Sequence, residues 1–234
     1  MNAKLLVESK NDMLFVQAVI DHLHMENIGF DIPICQPDDY ECMDGLNSAK
    51  LEECLTIMKR KLLKEEFDRI GIIIDQDDKS KKERLHLVSE AVKNVFGTDQ
   101  IMEDTGLFAP VCTRINGEDY DLNIACFLMN VNGKGELETV LKTVRVQDAV
   151  YADCLENWRT CLKEKHKEIS DREFDKLWVS HYIRFDTCSK RERRQAAAKC
   201  SMAGFEYVMK NKKFVWNLDH PVLDELKNFL KLFS

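Results

Sequence analysis

The stretch that most constrains this chain is Ile70-Gly71-Ile72-Ile73-Ile74, a β-branched run that stops at Asp75-Gln76-Asp77-Asp78. β-Branched side chains crowd a helix and suit a pleated strand. A run that is apolar at every position, rather than at every second one, fits a strand covered on both faces, as in a parallel sheet. Parallel neighbours are joined by crossovers, usually helical. The flanks supply them: Leu51, Cys54, Leu55, Met58 and Leu62 fall at helical spacing within residues 48–67, and Leu85, Val88, Ala91, Val92 and Val95 mark a second helix closed by Gly97.

The same pattern repeats along the first two thirds of the chain. Lys4-Leu5-Leu6-Val7 reads as a strand, followed by a helix on Met13, Phe15, Val16, Val19, Ile20 and Leu23, with Asn11 or Asp12 as its cap. Phe30-Asp31-Ile32-Pro33-Ile34 reads as a second strand, its proline marking an edge or an end. Residues 107–111 and 122–129 read as further strands, residues 130–135 as a turn, and Leu137, Val140, Leu141 and Val144 as the apolar stripe of another helix. Strands alternating with helices predict an α/β fold, a mainly parallel sheet flanked by helices, over residues 1–147. From Asp148 strand signals fade, so residues 148–234 are expected to form a helical C-terminal region.

A hydrophobic fraction of 44% with 32% charged residues over 234 positions is that of a globular chain, and no apolar run reaches the length of a membrane span. The apolar stretch at the N-terminus is too short for a signal peptide, which makes the cytoplasm the expected compartment. The nine cysteines are odd in number and include no C-x-x-C pair, so reduced thiols are expected and a zinc site is not. The six histidines are scattered, and Trp158, Trp178 and Trp216 read as core or interface residues. Asn130-Val131-Asn132-Gly133-Lys134-Gly135 lacks the full phosphate-loop pattern. The net charge of −7 weighs against a nucleic-acid partner only until it is divided: residues 1–148 hold 17 Lys and Arg against 28 Asp and Glu, residues 149–234 hold 17 against 13. The basic runs Lys190-Arg191-Glu192-Arg193-Arg194, with Lys199 beyond, and Lys79, Lys81, Lys82, Arg84 read either as solvated helix faces or as phosphate-binding flanks.

Carboxylates gather where strands end. Glu8 and Asp12 follow the first strand, Asp75 and Asp77 follow the central one and by alternation point the same way, and Glu136 and Glu138 open the helix after Met129. Asp78 is expected in solvent, and Lys10 as a surface lysine or a phosphate contact. Ligands of open α/β sheets bind beyond the carboxyl ends of the strands. Crowded carboxylates there suit Mg²⁺ or Mn²⁺, hard cations that take oxygen ligands and, in pairs, clamp a phosphodiester. The plainer readings are helix-terminus partners for Glu8, Asp12, Glu136 and Glu138, and a solvated turn for Asp75 and Asp77.

These residues also carry a resemblance. Leu5-Leu6-Val7-Glu8-Ser9-Lys10-Asn11-Asp12 resembles the first motif of the Toprim family of topoisomerases, primases and overcoming-lysogenization-defect nucleases, in the E-x-x-x-D form of the latter. Ile72-Ile73-Ile74-Asp75-Gln76-Asp77 resembles the Toprim D-x-D motif. Residues 126–138 and the tail after Ala197 are similar to an uncharacterised bacterial Toprim-like family. Ser9 stands where the first motif commonly has Gly, which permits positive φ. The resemblance implies a Toprim-like fold and a Mg²⁺- or Mn²⁺-dependent nuclease or phosphoryl-transfer enzyme acting on nucleic acid, DNA or RNA. In it Glu8, Asp75 and Asp77 are catalytic, and Glu8, Asp12, Asp75, Asp77 and Glu138 ligate metal. The alternative is a binding or regulatory module on the same scaffold without catalysis. A protein partner or homo-oligomer is compatible with both.

Overall fold

The computed structural model describes residues 3–35, 46–99 and 102–234. Cys42, one of the cysteines expected to be reduced, lies outside the described residues. In chain order the elements are β1 (Ala3–Val7), α1 (Lys10–His22), β2 (Ile28–Phe30), α2 (Ser48–Lys61), β3 (Arg69–Asp75), α3 (Lys81–Phe96), β4 (Ala109–Ile115), β5 (Glu118–Met129), α4 (Leu137–Thr143), α5 (Val150–Glu164), α6 (Asp171–His181), α7 (Ala196–Lys199), α8 (Phe205–Lys212) and α9 (Asp224–Lys231). They make an α/β protein with a mostly parallel sheet and several helices toward the C-terminus. The chain forms two compact units, residues 1–129 with 224–234, and residues 130–223. Among the described residues no helix is long and apolar enough to cross a membrane.

In the first unit the strand order is β2-β1-β3-β5-β4. β1 pairs in parallel with β2 and β3, and β3 in parallel with β5. β2 lies at an edge, as Pro33 suggests, but covers Ile28–Phe30 and ends before the proline. The central run of β3 is buried from Ile70 to Ile74 between two parallel neighbours, as its composition predicts. Ile70, Ile72 and Ile74 share one core with Leu6 of β1, with Leu51, Leu55 and Met58 of α2, and with Val88, Ala91 and Val92 of α3. Gly71 faces the other way, where a Cβ atom would lie 2.8 Å from the ring of Phe233 just after α9. On that face Phe229 of α9 meets Phe127 of β5, ring centroids 5.4 Å apart, and Arg69 donates to the Leu232 carbonyl at 2.9 Å. The last helix therefore belongs to the sheet rather than to the helical region that precedes it.

One pairing departs from the parallel expectation. β4 and β5 are antiparallel, joined at Asn116 (φ 50°) and Gly117 (φ 91°). Two successive left-handed residues give the tight hairpin turn whose twist matches that of the strands. Gly97, with φ 74°, closes α3 as expected.

The second unit packs α4 to α8 around Phe174, Trp178, Tyr182 and Phe205, all fully buried. Trp178 stacks on Tyr182 at 5.3 Å, and the Tyr182 hydroxyl donates to the Val215 carbonyl at 3.2 Å. Trp216 is buried as well, whereas Trp158 is 40% exposed. The expectation of reduced thiols fails for Cys188 and Cys200, which form a disulfide, and for Cys35, which is also disulfide-bonded. The sequence offered no spacing rule to pair them, and the fold brings their Cα atoms to 6.2 Å.

Candidate functional site

The chain leaves β1 toward β2 on one side of the sheet, while β3 leads to β5 and β4 on the other. The carboxyl ends of β1 and β3 therefore flank the topological switch point, where open α/β sheets hold their ligands. Glu8 and Asp75 stand at those two ends. The Glu8 amide donates to the Ile73 carbonyl at 3.1 Å and continues the parallel ladder. Its side chain turns across to the neighbouring strand, and Oε2 accepts the Asp75 backbone N–H at 2.9 Å. Both residues are buried, at 7% and 8% exposure. Burial pushes the Glu8 carboxyl up to about 7. The Asp12 carboxylate adds to that rise, the Asp75 N–H opposes it, and the charges of Asp77 and Arg84 enter with opposite signs.

Asp12 reaches this neighbourhood through local helix chemistry. The cap of α1 is Ser9, not Asn11 or Asp12, and Asp12 is the third helical residue. Asp12 Oδ2 accepts from the Ser9 amide at 2.9 Å and from the Ser9 hydroxyl at 2.6 Å, while Ser9 Oγ accepts the Asp12 N–H at 3.3 Å. This reciprocal pair is a capping box, and it fixes the buried Asp12 carboxylate. Ser9 has φ −131°, ordinary extended backbone that needs no glycine.

Asp77 arrives differently from its predicted alternation. β3 ends at Asp75, and Asp77 sits in the left-handed region with φ 56°. The turn, not the pleat, sets its direction. Its carboxylate pairs with the guanidinium of Arg84, whose Nε donates to the Gln76 carbonyl at 3.3 Å. Asp78 points to solvent, its side chain 87% exposed.

Arg84 is the residue that sequence reasoning missed. It shares a basic run with Lys79, Lys81 and Lys82, but it is buried, at 5% exposure. Its position four residues before Val88, on the apolar stripe of α3, was the available signal. Lys81 in the same run pairs with Asp104, and Lys79 and Lys10 are exposed.

The remaining predicted acids lie in the second unit. Glu138 is in the first turn of α4 and half-buried. Glu136 is the buried member of that pair, at 2% exposure, with its carboxylate held by Arg172 at 2.9 Å and Lys176 at 3.3 Å. Residues 130–135 form a turn, with Asn132 and Gly133 both left-handed. Cysteine nucleophilicity finds no support at Cys126, whose thiol is fully buried and pushed up to about 12 by that burial.

Glu8, Asp12, Asp75 and Asp77 offer only carboxylate oxygens, with no nitrogen or sulfur. Oxygen donors of this kind would suit hard cations such as Mg²⁺ or Mn²⁺ rather than a soft metal. The family described as Protein of unknown function (DUF3226) matches residues 2–234. No curated protein and no solved structure matches the chain.

Proposed function

The chain belongs to the DUF3226 family, and from that premise we propose that it is a Toprim-like, divalent-metal-dependent nuclease or phosphoryl-transfer enzyme acting on nucleic acid. The observation that carries the reading is the Glu8 carboxylate reaching across to the Asp75 backbone N–H on the adjacent parallel strand at the switch point, with the Asp12 and Asp77 charges near enough to raise the Glu8 carboxyl. Glu8, Asp12, Asp75 and Asp77 hold Mg²⁺ or Mn²⁺. The ion, when bound, supplies Lewis-acid stabilisation of charge on a phosphodiester and makes a water more acidic. The protein's own part is to hold the carboxylates in place. The Asp75 N–H orients Glu8, the capping box orients Asp12, and Arg84 orients Asp77.

The test is a cleavage assay on single- and double-stranded DNA and RNA with Mg²⁺ or Mn²⁺. Asp75→Ala and Asp77→Ala are expected to lose at least about a hundredfold in rate. Equal rates in wild type and both variants overturn the metal role.

One observation favours a second reading, a binding or regulatory module without catalysis. The Arg84 guanidinium already supplies a fixed positive charge beside Asp77. Calorimetry separates the two: no heat of Mg²⁺ or Mn²⁺ binding at millimolar concentration supports the module.

A further inference from the structure

The end of α6 changes its winding. Residues Tyr182–Asp186 form a π-helical turn, with the Thr187 amide reaching back to the Tyr182 carbonyl at 3.1 Å. Such wide turns recur at functional sites because they redirect side chains. Here the turn sends Tyr182 and Ile183 inward, both fully buried, and leaves Arg184 exposed and Phe185 half-buried at the surface. The Phe185 ring stands among other flat groups. The Tyr151 ring lies 5.8 Å away and is 58% exposed, the His181 ring lies 5.6 Å away, and the guanidinium carbons of Arg184 and Arg193 lie 5.5 and 5.8 Å from its centroid.

The charge around this ring is one-sided. Residues 184–199 hold six Lys and Arg against two acids, Asp186 and Glu192. Both acids serve the fold. Asp186 accepts the Tyr151 and Ala152 amides at 2.9 and 3.1 Å, which caps the start of α5. Glu192 pairs with the buried Lys212 at 2.9 Å. Among the described residues Arg184, Lys190, Arg191, Arg193 and Arg194 form no salt bridge within the fold. The Cys188–Cys200 disulfide closes the loop that carries most of them, which limits the ordering cost of binding.

We propose that this face of the second unit, centred on Phe185, Tyr151, Arg184 and Arg193, docks single-stranded nucleic acid. Cations that outnumber acids on a surface attract phosphates, and aromatic or guanidinium planes stack on bases. Only an unpaired strand offers base faces to such planes, because a duplex hides them in its own stack. A lipid surface fits less well, since the outer rim is charged and the central ring is half-buried rather than protruding. The inference rests on the nuclease reading for its role, but it concerns different residues and no metal.

The experiment uses the full-length protein in EDTA, which stops any metal-dependent cleavage, with fluorescein-labelled dT20 read by anisotropy over a series of KCl concentrations. The wild type is expected to bind, more weakly as salt rises, and at least tenfold more tightly than it binds a dT20·dA20 duplex. The triple substitution of Tyr151, Arg184 and Arg193 to Ala is expected to weaken dT20 binding about tenfold or more while circular dichroism and melting temperature stay unchanged. Phe185→Leu keeps an apolar side chain without a π face and is expected to give an intermediate loss. Unchanged affinity in the triple variant overturns the proposal. So does wild-type binding that is absent, or that favours the duplex or phosphatidylserine vesicles. Intact dT20 binding with no cleavage in Mg²⁺ sinks the nuclease reading alone, and cleavage by a protein whose binding ignores these substitutions sinks the docking face alone.

Discussion

The two units differ in how far they compensate their buried charge. The second unit pairs it locally: Glu136 with Arg172 and Lys176, Asp175 with Lys142, Glu192 with Lys212. It carries 18 Lys and Arg against 14 Asp and Glu. The first unit carries 16 against 27; it pairs buried Asp31 with Lys61 and Asp77 with Arg84, its one buried cation among the described residues, while Glu8, Asp12 and Asp75 are buried close to the ends of β1 and β3. Removing a charge from water is costly unless it is compensated where it lies. The second unit meets that cost within its own packing. The first carries an excess of acid, part of it at the carboxyl ends of β1 and β3, where open α/β sheets hold their ligands.

The comparison can be broken at several points, in descending order of effect. Arg84→Met removes the guanidinium from beside Asp77 and leaves the carboxylates to repel. It is expected to destabilise the protein by about 4 kcal/mol in urea unfolding at neutral pH without divalent cation. A loss under about 1 kcal/mol means that Arg84 does not compensate the cluster. Next comes Glu8. Its carboxyl is raised in the folded protein, from 4.5 to about 7, so the native state holds the proton more tightly than the unfolded chain. The stability this contributes is present below pH 4.5 and is lost as pH rises through 7, by about 3 kcal/mol in metal-free buffer. Glu8→Gln is expected to flatten that part of the pH profile. A wild-type melting temperature that holds steady between pH 5 and 7.5 contradicts it.

Smaller effects probe the second unit. Cys188→Ser releases the loop closed by the disulfide and is expected to cost about 2 kcal/mol, read as a lower melting temperature that reductant reproduces in the wild type. The exposed Lys210–Glu206 pair on α8 should show a coupling of only about 0.4 kcal/mol in a double-mutant cycle, because surface pairs gain little. A coupling above about 2 kcal/mol there places important electrostatics on the face where none is expected.

Much of the sheet was legible because its signals are local. The Ile70–Ile74 run announces a strand buried on both faces, and Gly97 announces a helix end, each from a few adjacent residues. What escaped is what depends on distant or rare partners. The antiparallel step between β4 and β5 turns on Asn116 and Gly117, two residues inside a polar stretch. The return of α9 to the sheet leaves no trace in its own periodicity, since an amphipathic helix does not state which surface it covers. The acids at the ends of β1 and β3 were readable as positions, because strand ends are readable. Their geometry was not: Asp77 is aimed by a left-handed turn and Asp12 by a serine cap. Arg84 was hidden among lysines of the same charge, and only its place on the apolar stripe set it apart. The Cys188–Cys200 bond joins residues that no spacing rule connects.

The reach of α9 back to β3 has a consequence for how the protein is made. Arg69 and the Leu232 carbonyl are separated by 163 positions, and the face beside Gly71 is completed by Phe233, just after α9. Between the end of β5 and the start of α9 the ribosome must add residues 130–223, about 5–20 s of synthesis at ordinary rates. For that interval the newborn sheet has its strands but not the rings that cover one side. A chaperone that binds apolar surface on nascent chains has its opening there, and synthesis and docking of α9 are the events that close it.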